Sequence, residues 1–151
     1  MRRLPRRLLL EWLIPGGAIV VAVVLAVICS TRLPDPVATG WSLAGAPGGP
    51  SSKAVELWLG VVVVAIAAAF TWTASRAPTV RIARSLVAFG HFAAVAWLGR
   101  LGRVVSGNLD AAHWSNTDAT ISIPAIIGAA IAGGAIGWAV SAHRQQGRTS
   151  T

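Results

Sequence analysis

Four apolar runs, each long enough to cross a lipid bilayer, dominate this chain of 151 residues. They cover approximately residues 13–30, 55–73, 85–105 and 123–142. Each is close to the roughly 20 residues that a helix needs to cross a hydrocarbon core of about 30 Å. Helices are expected because the backbone finds no water in lipid and must satisfy its polar groups internally. The sequence therefore predicts an all-α membrane protein, in which residues 1–151 form one integral membrane domain, a bundle of four transmembrane helices.

The composition supports lipid as the solvent of this chain. Hydrophobic residues make up 54% of it and charged residues 12%, whereas about a quarter of the residues of a soluble domain are charged. A net charge of +8 would suggest nucleic acid as the partner of a soluble protein. Here the basic residues cluster at the ends of the apolar runs, which is typical of topology control and of contact with anionic headgroups. We therefore expect membrane lipids as partners, and no nucleic acid.

The distribution of basic residues predicts the orientation of the helices. Nine arginines lie in the N-terminal tail, the inner loop 74–84 and the C-terminal tail. Four basic residues lie in the outer loops 31–54 and 106–122 or at the outer end of the third helix. Since basic residues accumulate on the cytoplasmic side, both termini are expected in the cytoplasm. A secretory signal peptide would also begin with arginines, but the length of the run 13–30 and the lack of a small-x-small cleavage site favour a retained helix.

The loop between the first two helices carries signals of an ordered fold. Pro34 and Pro36 restrict the backbone around them and predict an extended entry. The segment 46–49, Ala-Pro-Gly-Gly, suits a tight turn. Ser51 or Ser52 can then cap the second helix. We expect an ordered extracytoplasmic loop rather than a flexible linker.

The same loop resembles a known pattern, in which a Leu-Pro-acid stretch after a first helix is followed by an aromatic residue, a Gly-x-Pro and a Ser-Lys pair. The matching positions are Leu33, Pro34, Asp35, Trp41, Gly45, Pro47, Ser52 and Lys53. On these residues, the region from about 13 to 75 resembles the bacterial membrane family of unknown function numbered 1648, which is related to the SdpI-like toxin-immunity proteins. The resemblance implies a location in the bacterial plasma membrane and an immunity or envelope-stress role.

Two positions depart from the pattern of that family. It usually has His just before the aromatic residue, where this chain has Gly40, and Asp after the Gly-x-Pro, where this chain has Gly48. If those polar residues bind a ligand in the relatives, this protein has lost that capacity. The full immunity proteins also contain more helices than this chain can hold.

The fourth helix carries small residues at spacings that allow close helix packing. We expect the packing face to consist of Gly128, Ala132, Gly133 and Gly137. The face can serve the interior of the bundle or contact another subunit, and the sequence leaves both interpretations open.

The outer side of the membrane carries a candidate interaction or structural cluster. Its members are Asp35, Trp41, Lys53, Glu56, Arg100, Arg103, Asp110 and His113. Arg100 and Arg103 can pair with Asp110, Asp118 or Glu56, extend to the headgroups, or bind an anion. Asp110 and His113, with Asp118 nearby, could hold a zinc-like ion, although no further His or Cys supports a metal site.

One histidine, His91, falls inside the third apolar run. A neutral imidazole that bonds a neighbouring helix is the simpler interpretation, and a proton relay or a ligand role is the alternative.

We find no catalytic constellation, no cofactor motif and no metal motif in the sequence. The function hypothesis is therefore a non-enzymatic accessory or scaffold subunit, which binds a membrane-protein partner or forms a homo-oligomer. An SdpI-like immunity or stress-sensing role is the alternative, and a small transporter is a third hypothesis.

Overall fold

The structure, a computed structural model, contains four long helices and a short two-stranded hairpin. It describes residues 6–42, 46–118 and 121–146, with the side chains of all of these except 6–11, 75 and 142–146. The elements in chain order are α1 (Arg6–Cys29), β1 (Val37–Trp41), β2 (Pro47–Ser51), α2 (Lys53–Thr73), α3 (Val80–Asn108) and α4 (Ile123–Gln146), with short 3-10 turns at Ala74–Arg76 and Trp114–Asn116. The four helices are long and apolar enough to cross a membrane, as predicted.

The helices extend beyond the apolar runs that predicted them, by two residues in α2 and by more in the other three. α1 begins at Arg6 instead of near residue 13, and α4 continues to Gln146. α3 spans 29 residues because Thr79 starts it early: its hydroxyl accepts a hydrogen bond from the N–H of Ile82 at 3.3 Å. Hydropathy marks only the apolar part of a helix, whereas backbone hydrogen bonds continue into the flanking basic segments.

The core of the bundle consists mainly of small side chains. Ala18, Ala22 and Ala26 recur every four residues and form the buried stripe of α1. Large side chains such as Val20, Val24 and Ile28 on the same helix are exposed. Bulky apolar side chains outside and small ones inside are the arrangement expected where lipid removes the hydrophobic drive and close backbone contact holds helices together.

α3 is the central helix, since it packs against each of the other three and forms the two largest helix interfaces, with α4 and with α2. Gly90 of α3 allows the closest approach to α2: a Cβ at this position would lie 2.7 Å from the carbonyl oxygen of Ala67. Gly99 likewise leaves room for the side chain of Ile126 of α4. Glycine therefore sets the distance between α3 and its neighbours at two levels of the bundle.

The hairpin lies at one end of the bundle, where α1 and α3 end and α2 and α4 begin. We call this the hairpin end, and the opposite end the basic end. β1 and β2 are antiparallel, with Val37 opposite Ser51 and Trp41 opposite Pro47. The strands were not foreseen from the sequence, because proline and glycine are unusual in a strand such as Pro47–Ser51.

The turn of the hairpin also differs from the predicted one. Next to the paired strands, the N–H of Ser42 donates to the carbonyl oxygen of Ala46 at 2.9 Å. The segment 46–49, predicted as a tight turn, instead enters β2. Gly49 does adopt a positive φ of 62°, as expected for a glycine in this segment. Gly45, one of the positions of the family pattern, lies outside the described residues.

Candidate functional site

The two ends of the loop 31–54 are tied together at the start of α2. The carboxylate of Asp35 accepts a hydrogen bond from the N–H of Lys53 at 3.2 Å. The ammonium group of Lys53 donates to the carbonyl oxygen of Leu33 at 3.2 Å. Ser52, expected to cap α2, occupies the N-cap position without a side-chain cap hydrogen bond. An acid at the N-terminus of a helix also interacts favourably with the helix dipole, so Asp35 performs the capping role.

Asn108, the last residue of α3, holds the hairpin against the bundle. Its side chain is fully buried. The amide oxygen accepts from the N–H of Ala38 at 2.7 Å, and the amide nitrogen donates to the carbonyl oxygens of Ala38 and Val104, both at 2.8 Å. One side chain thus supplies both bonds that a neighbouring strand would give to Ala38.

Trp41 at the end of β1 occupies a slot in the C-terminal part of α3. A Cβ at Gly107 would lie 2.6 Å from the Trp41 ring, so only glycine leaves room for it. The indole N–H donates to the carbonyl oxygen of Thr117 at 3.3 Å. The guanidinium of Arg103 lies 5.1 Å from the centre of the ring and also donates to the carbonyl oxygen of Ile121. Arg103 therefore binds an aromatic face and a backbone carbonyl, instead of one of the carboxylates expected from the sequence.

Arg100 pairs with Glu56, one of the three carboxylates expected for the two arginines. The Nη1 atom of Arg100 lies 2.8 Å from the Oε2 atom of Glu56. Glu56 lies in the first turn of α2 and is 7% exposed. The guanidinium also lies 4.8 Å from the centre of the Trp97 ring. This pair joins the start of α2 to the end of α3.

Asp110 pairs with Arg32, a residue outside the candidate cluster. The Nε atom of Arg32 donates to Oδ1 of Asp110 at 2.9 Å, and a second bond joins Nη2 to Oδ2. The N–H of Asp110 donates to the carbonyl oxygen of Arg32 at 3.0 Å. Hydrogen bonds from Arg32 lower the pKa of Asp110 below its ordinary value, and the carboxylate raises the pKa of Arg32. Both side chains are exposed, so the pair orients the loops more than it stabilises them.

His113 contacts other residues than Asp110 does. Its Nδ1 atom is 2.9 Å from the hydroxyl of Ser115, and its ring lies 5.6 Å from that of Trp114. Within residues 6–42, 46–118 and 121–146, no three His, Cys, Asp or Glu side chains come together as a metal site would require. The candidate cluster is thus divided into separate contacts. Those of Asp35, Trp41, Arg100 and Asp110 each join two segments of the hairpin end, whereas that of His113 is local.

His91 is fully buried between α3 and α4. Its Nδ1 atom lies 2.9 Å from the carbonyl oxygen of Val87, one turn earlier on its own helix. A Cβ at Gly137 of α4 would lie 2.9 Å from the imidazole ring. The ring therefore packs into the space that this glycine leaves.

The predicted packing face of α4 is divided between two sides of the helix. Gly133 and Gly137 are buried against Val95 and His91 of α3. Gly128 and Ala132 are exposed, and a Cβ at Gly128 would meet nothing within 4 Å. The interior interpretation therefore applies to Gly133 and Gly137, and it does not apply to Gly128 and Ala132.

Sequence reasoning missed Asn108, Gly107 and Arg32. Asn108 and Gly107 end an apolar helix, where an amide or a glycine is ordinary, and nothing local indicates a contact with residues 38 and 41. From the sequence, Arg32 is only one of the basic residues expected on the outer side. The single signal available was its position directly after the first apolar run, close to the acids of the outer loops.

We expect Arg100→Gln to destabilise the protein by about 1–2 kcal/mol, because Glu56 would keep a buried charge without its partner. The cost is below the roughly 3–5 kcal/mol of a fully buried pair, since the Arg100 side chain is 33% exposed. Equilibrium unfolding in mild detergent would measure it. The double variant Glu56→Gln/Arg100→Gln should recover part of the loss, and strictly additive effects of the two substitutions would contradict the pairing.

Comparison of the chain with family models, with curated proteins and with solved structures finds no match.

Proposed function

We propose that this chain is a non-enzymatic protein of the bacterial plasma membrane that serves as an accessory or scaffold subunit of a larger membrane complex. The observation that carries the proposal is a stripe of small residues on the exposed side of α4. The hairpin end contributes an ordered outer surface, in which most of the charged side chains bind one another or the backbone.

The stripe lies opposite the face by which α4 joins the bundle. Its members recur at alternating spacings of three and four residues, which places them on one side of a helix. They are Ala125, Gly128, Ala132, Ala135 and Ala139, and all are exposed. The bundle-facing side carries Ala130, Gly133, Gly137 and Ser141, which are buried.

A contrast with α1 supports a protein partner for this stripe. The exposed side of α1 carries branched side chains, including Val20, Val24 and Ile28, that suit contact with acyl chains. The α4 stripe has no side chain larger than a methyl group. Small residues let a second helix approach closely, which is the usual basis of helix association in lipid. The stripe is thus suited to a helix of another subunit.

The proposed orientation places both termini in the cytoplasm and the hairpin outside. It is supported by the positive-inside count of nine basic residues against four. The arginines at positions 2, 3 and 148 lie outside the described residues and enter this count from the sequence alone.

An immunity or stress-sensing role is a second candidate, supported by the resemblance in residues 13–75. Gly40 and Gly48, the two departures from that pattern, are direct cross-strand partners. Relatives with His and Asp at these positions would carry both on one patch of the hairpin, and this chain has neither. A transporter has less support, because residues 57–109 and 119–151 contain no acidic residue.

Photo-crosslinking in native membranes tests the proposed function. A photoreactive residue at Ala132 should give an adduct with one defined membrane protein, and the same residue at Val24 of α1, which is also exposed, should not. The double variant Gly128→Leu/Ala132→Leu should weaken the association about tenfold or more, since bulk at a close contact costs roughly 1–3 kcal/mol. An adduct of twice the chain mass would identify a homo-oligomer. Recovery of monomer alone at both positions would refute the proposal.

A further inference from the structure

α1 contains a proline and two glycines in succession, well inside the helix. The helix begins at Arg6, so Pro15 lies about two and a half turns from its start. Proline is harmless in the first turn, but farther inside it removes a backbone hydrogen bond and crowds the preceding turn. Gly16 and Gly17 follow directly, and glycine is the poorest helix former after proline. The backbone of α1 therefore resists bending least at residues 15–17.

Packing does not account for the two glycines. Within the part of the chain that the structure describes, a Cβ at Gly16 or Gly17 would meet nothing within 4 Å. At Gly90 of α3, in contrast, a Cβ would lie 2.7 Å from the carbonyl oxygen of Ala67. Alanine would fit at positions 16 and 17 and would form a stiffer helix. Glycine at these two positions thus affects the backbone of α1 rather than a contact with a neighbouring helix.

Residues 15–17 separate a packed part of α1 from an exposed one. Pro15 is fully buried and lies about one turn before Ala18, the first member of the buried alanine stripe. This stripe continues toward the hairpin end and holds the helix in the core of the bundle. On the other side of Pro15, toward the basic end, Trp12 and Leu13 are 36% and 69% exposed. Bending at residues 15–17 therefore leaves the alanine stripe in place.

The length of α1 provides a physical cause for such a bend. At 1.5 Å per residue, the 24 residues of α1 measure about 36 Å. The hydrocarbon core of a bilayer is about 30 Å thick, and a helix longer than the core tilts or kinks. The sequence of the first turns contains Arg6, Arg7 and Glu11, which favour the level of the headgroups because a charge within hydrocarbon is costly. A thinner bilayer thus favours a stronger bend between these charges and the packed part of the helix.

We propose that Pro15, Gly16 and Gly17 form a hinge at which residues 6–14 tilt relative to the packed part of α1, by an angle that increases as the bilayer becomes thinner. The hinge lets the bundle keep one structure in membranes of different thickness, because the first turns of α1 absorb the mismatch. It involves neither the exposed stripe of α4 nor a partner subunit. The hinge therefore goes beyond the proposed function and does not depend on it.

The test is double electron–electron resonance between two spin labels on the full chain in nanodiscs. The background Cys29→Ser removes the single cysteine. The labels are attached at Leu8→Cys, in the first turns of α1, and at Ile82→Cys, an exposed position of α3. Position 8 lies about 12 Å along the helix axis from Gly16, so a kink of about 20° moves it by about 4 Å. The distance maximum should shift by about this amount between dilauroyl and dierucoyl phosphatidylcholine.

The control pair is Val20→Cys with Ile82→Cys, since Val20 is also exposed but lies beyond the hinge. Its distance should be the same in the two lipids. The variant Gly16→Ala/Gly17→Ala should reduce the shift of the first pair to about half or less, because two of the three hinge residues become good helix formers. Gly128→Ala, the same change at an open position of α4, should leave that shift unchanged.

If the double variant fails to fold, Gly17→Ala alone, at an exposed position, should still reduce the shift. Three results would overturn the proposal. They are the absence of a shift in the labelled chain with both glycines, an equal shift for the control pair at Val20, and an unchanged shift after Gly16→Ala/Gly17→Ala. The second of these would mean that α1 tilts as one rigid helix.

Discussion

Replacing Asn108 by alanine is expected to release the hairpin from α3 and to destabilise the protein by about 3 kcal/mol. The variant removes three hydrogen bonds, to the N–H of Ala38 and to the carbonyl oxygens of Ala38 and Val104. Ala38 is buried, so water cannot replace these bonds, and each unsatisfied backbone group costs roughly 1–3 kcal/mol. Unfolding in mild detergent measures the free energy, and hydrogen exchange of residues 37–41 reports on the hairpin.

Asn116→Ala is the matched control for this variant. Asn116 is an exposed asparagine of the same end, and its replacement should change the free energy of unfolding by less than about 0.5 kcal/mol. Asn108→Asp should not restore the stability, because a buried carboxylate would lie against the carbonyl oxygens of Ala38 and Val104 and could donate to neither. Equal stability of the two alanine variants would show that Asn108 does not hold the hairpin.

The four spans were predictable because lipid imposes a simple condition on a chain. Each crossing needs about 20 apolar residues, and only a helix satisfies the backbone within them. The helix ends were less predictable. Thr79 starts α3 five residues before its predicted start near residue 85, since a side-chain cap is a local event that hydropathy does not record. The capping of α2 was assigned to Ser51 or Ser52, whereas Asp35, distant in sequence, supplies the bond.

The contacts of the hairpin end were only partly predictable from residue types. A charge suggests a charge as its partner, and on that basis Glu56 was among the acids considered for Arg100. The same reasoning does not find the partners of Arg103. They are the ring of Trp41 and the backbone carbonyl of Ile121, and neither of these residues is charged. Asp110 pairs with Arg32, 78 residues away, because the ends of α1 and α3 lie side by side. This proximity is part of the tertiary structure, and no local sequence pattern indicates it.

These contacts show what several residues of the loop pattern do in the structure. Leu33, Asp35 and Lys53 close the base of the loop, and Trp41 fixes its far end in the slot at Gly107. These positions therefore maintain the shape of the hairpin. The two departures, Gly40 and Gly48, face each other on the strands and take no part in that closure. A loop of this kind can keep its fold while the residues that it displays change, which supports an ordered cap on the hairpin end more than a ligand site.

Replacing Gly90 by alanine is expected to force α2 and α3 apart, at a cost near the upper end of the roughly 1–3 kcal/mol of an overpacked core. The new Cβ would lie 2.7 Å from the carbonyl oxygen of Ala67 and 2.7 Å from the hydroxyl oxygen of Thr71. A backbone carbonyl cannot rotate away as the end of a flexible side chain can. The additional substitution Thr71→Ala should therefore not restore the stability of the Gly90→Ala variant. Unfolding in mixed micelles measures both.

Gly128→Ala is the control, since it makes the same chemical change inside another transmembrane helix. A Cβ at position 128 meets nothing within 4 Å, and alanine is the better helix former, so no loss of stability is expected in the isolated protein. In the sequence, both glycines are simply small residues within apolar runs, and only their neighbours in space distinguish them. Equal losses from the two substitutions would mean that glycine acts here through the helix backbone alone. A loss confined to Gly90→Ala would assign its role to the contact between α2 and α3, and would leave Gly128 available for a partner outside the bundle.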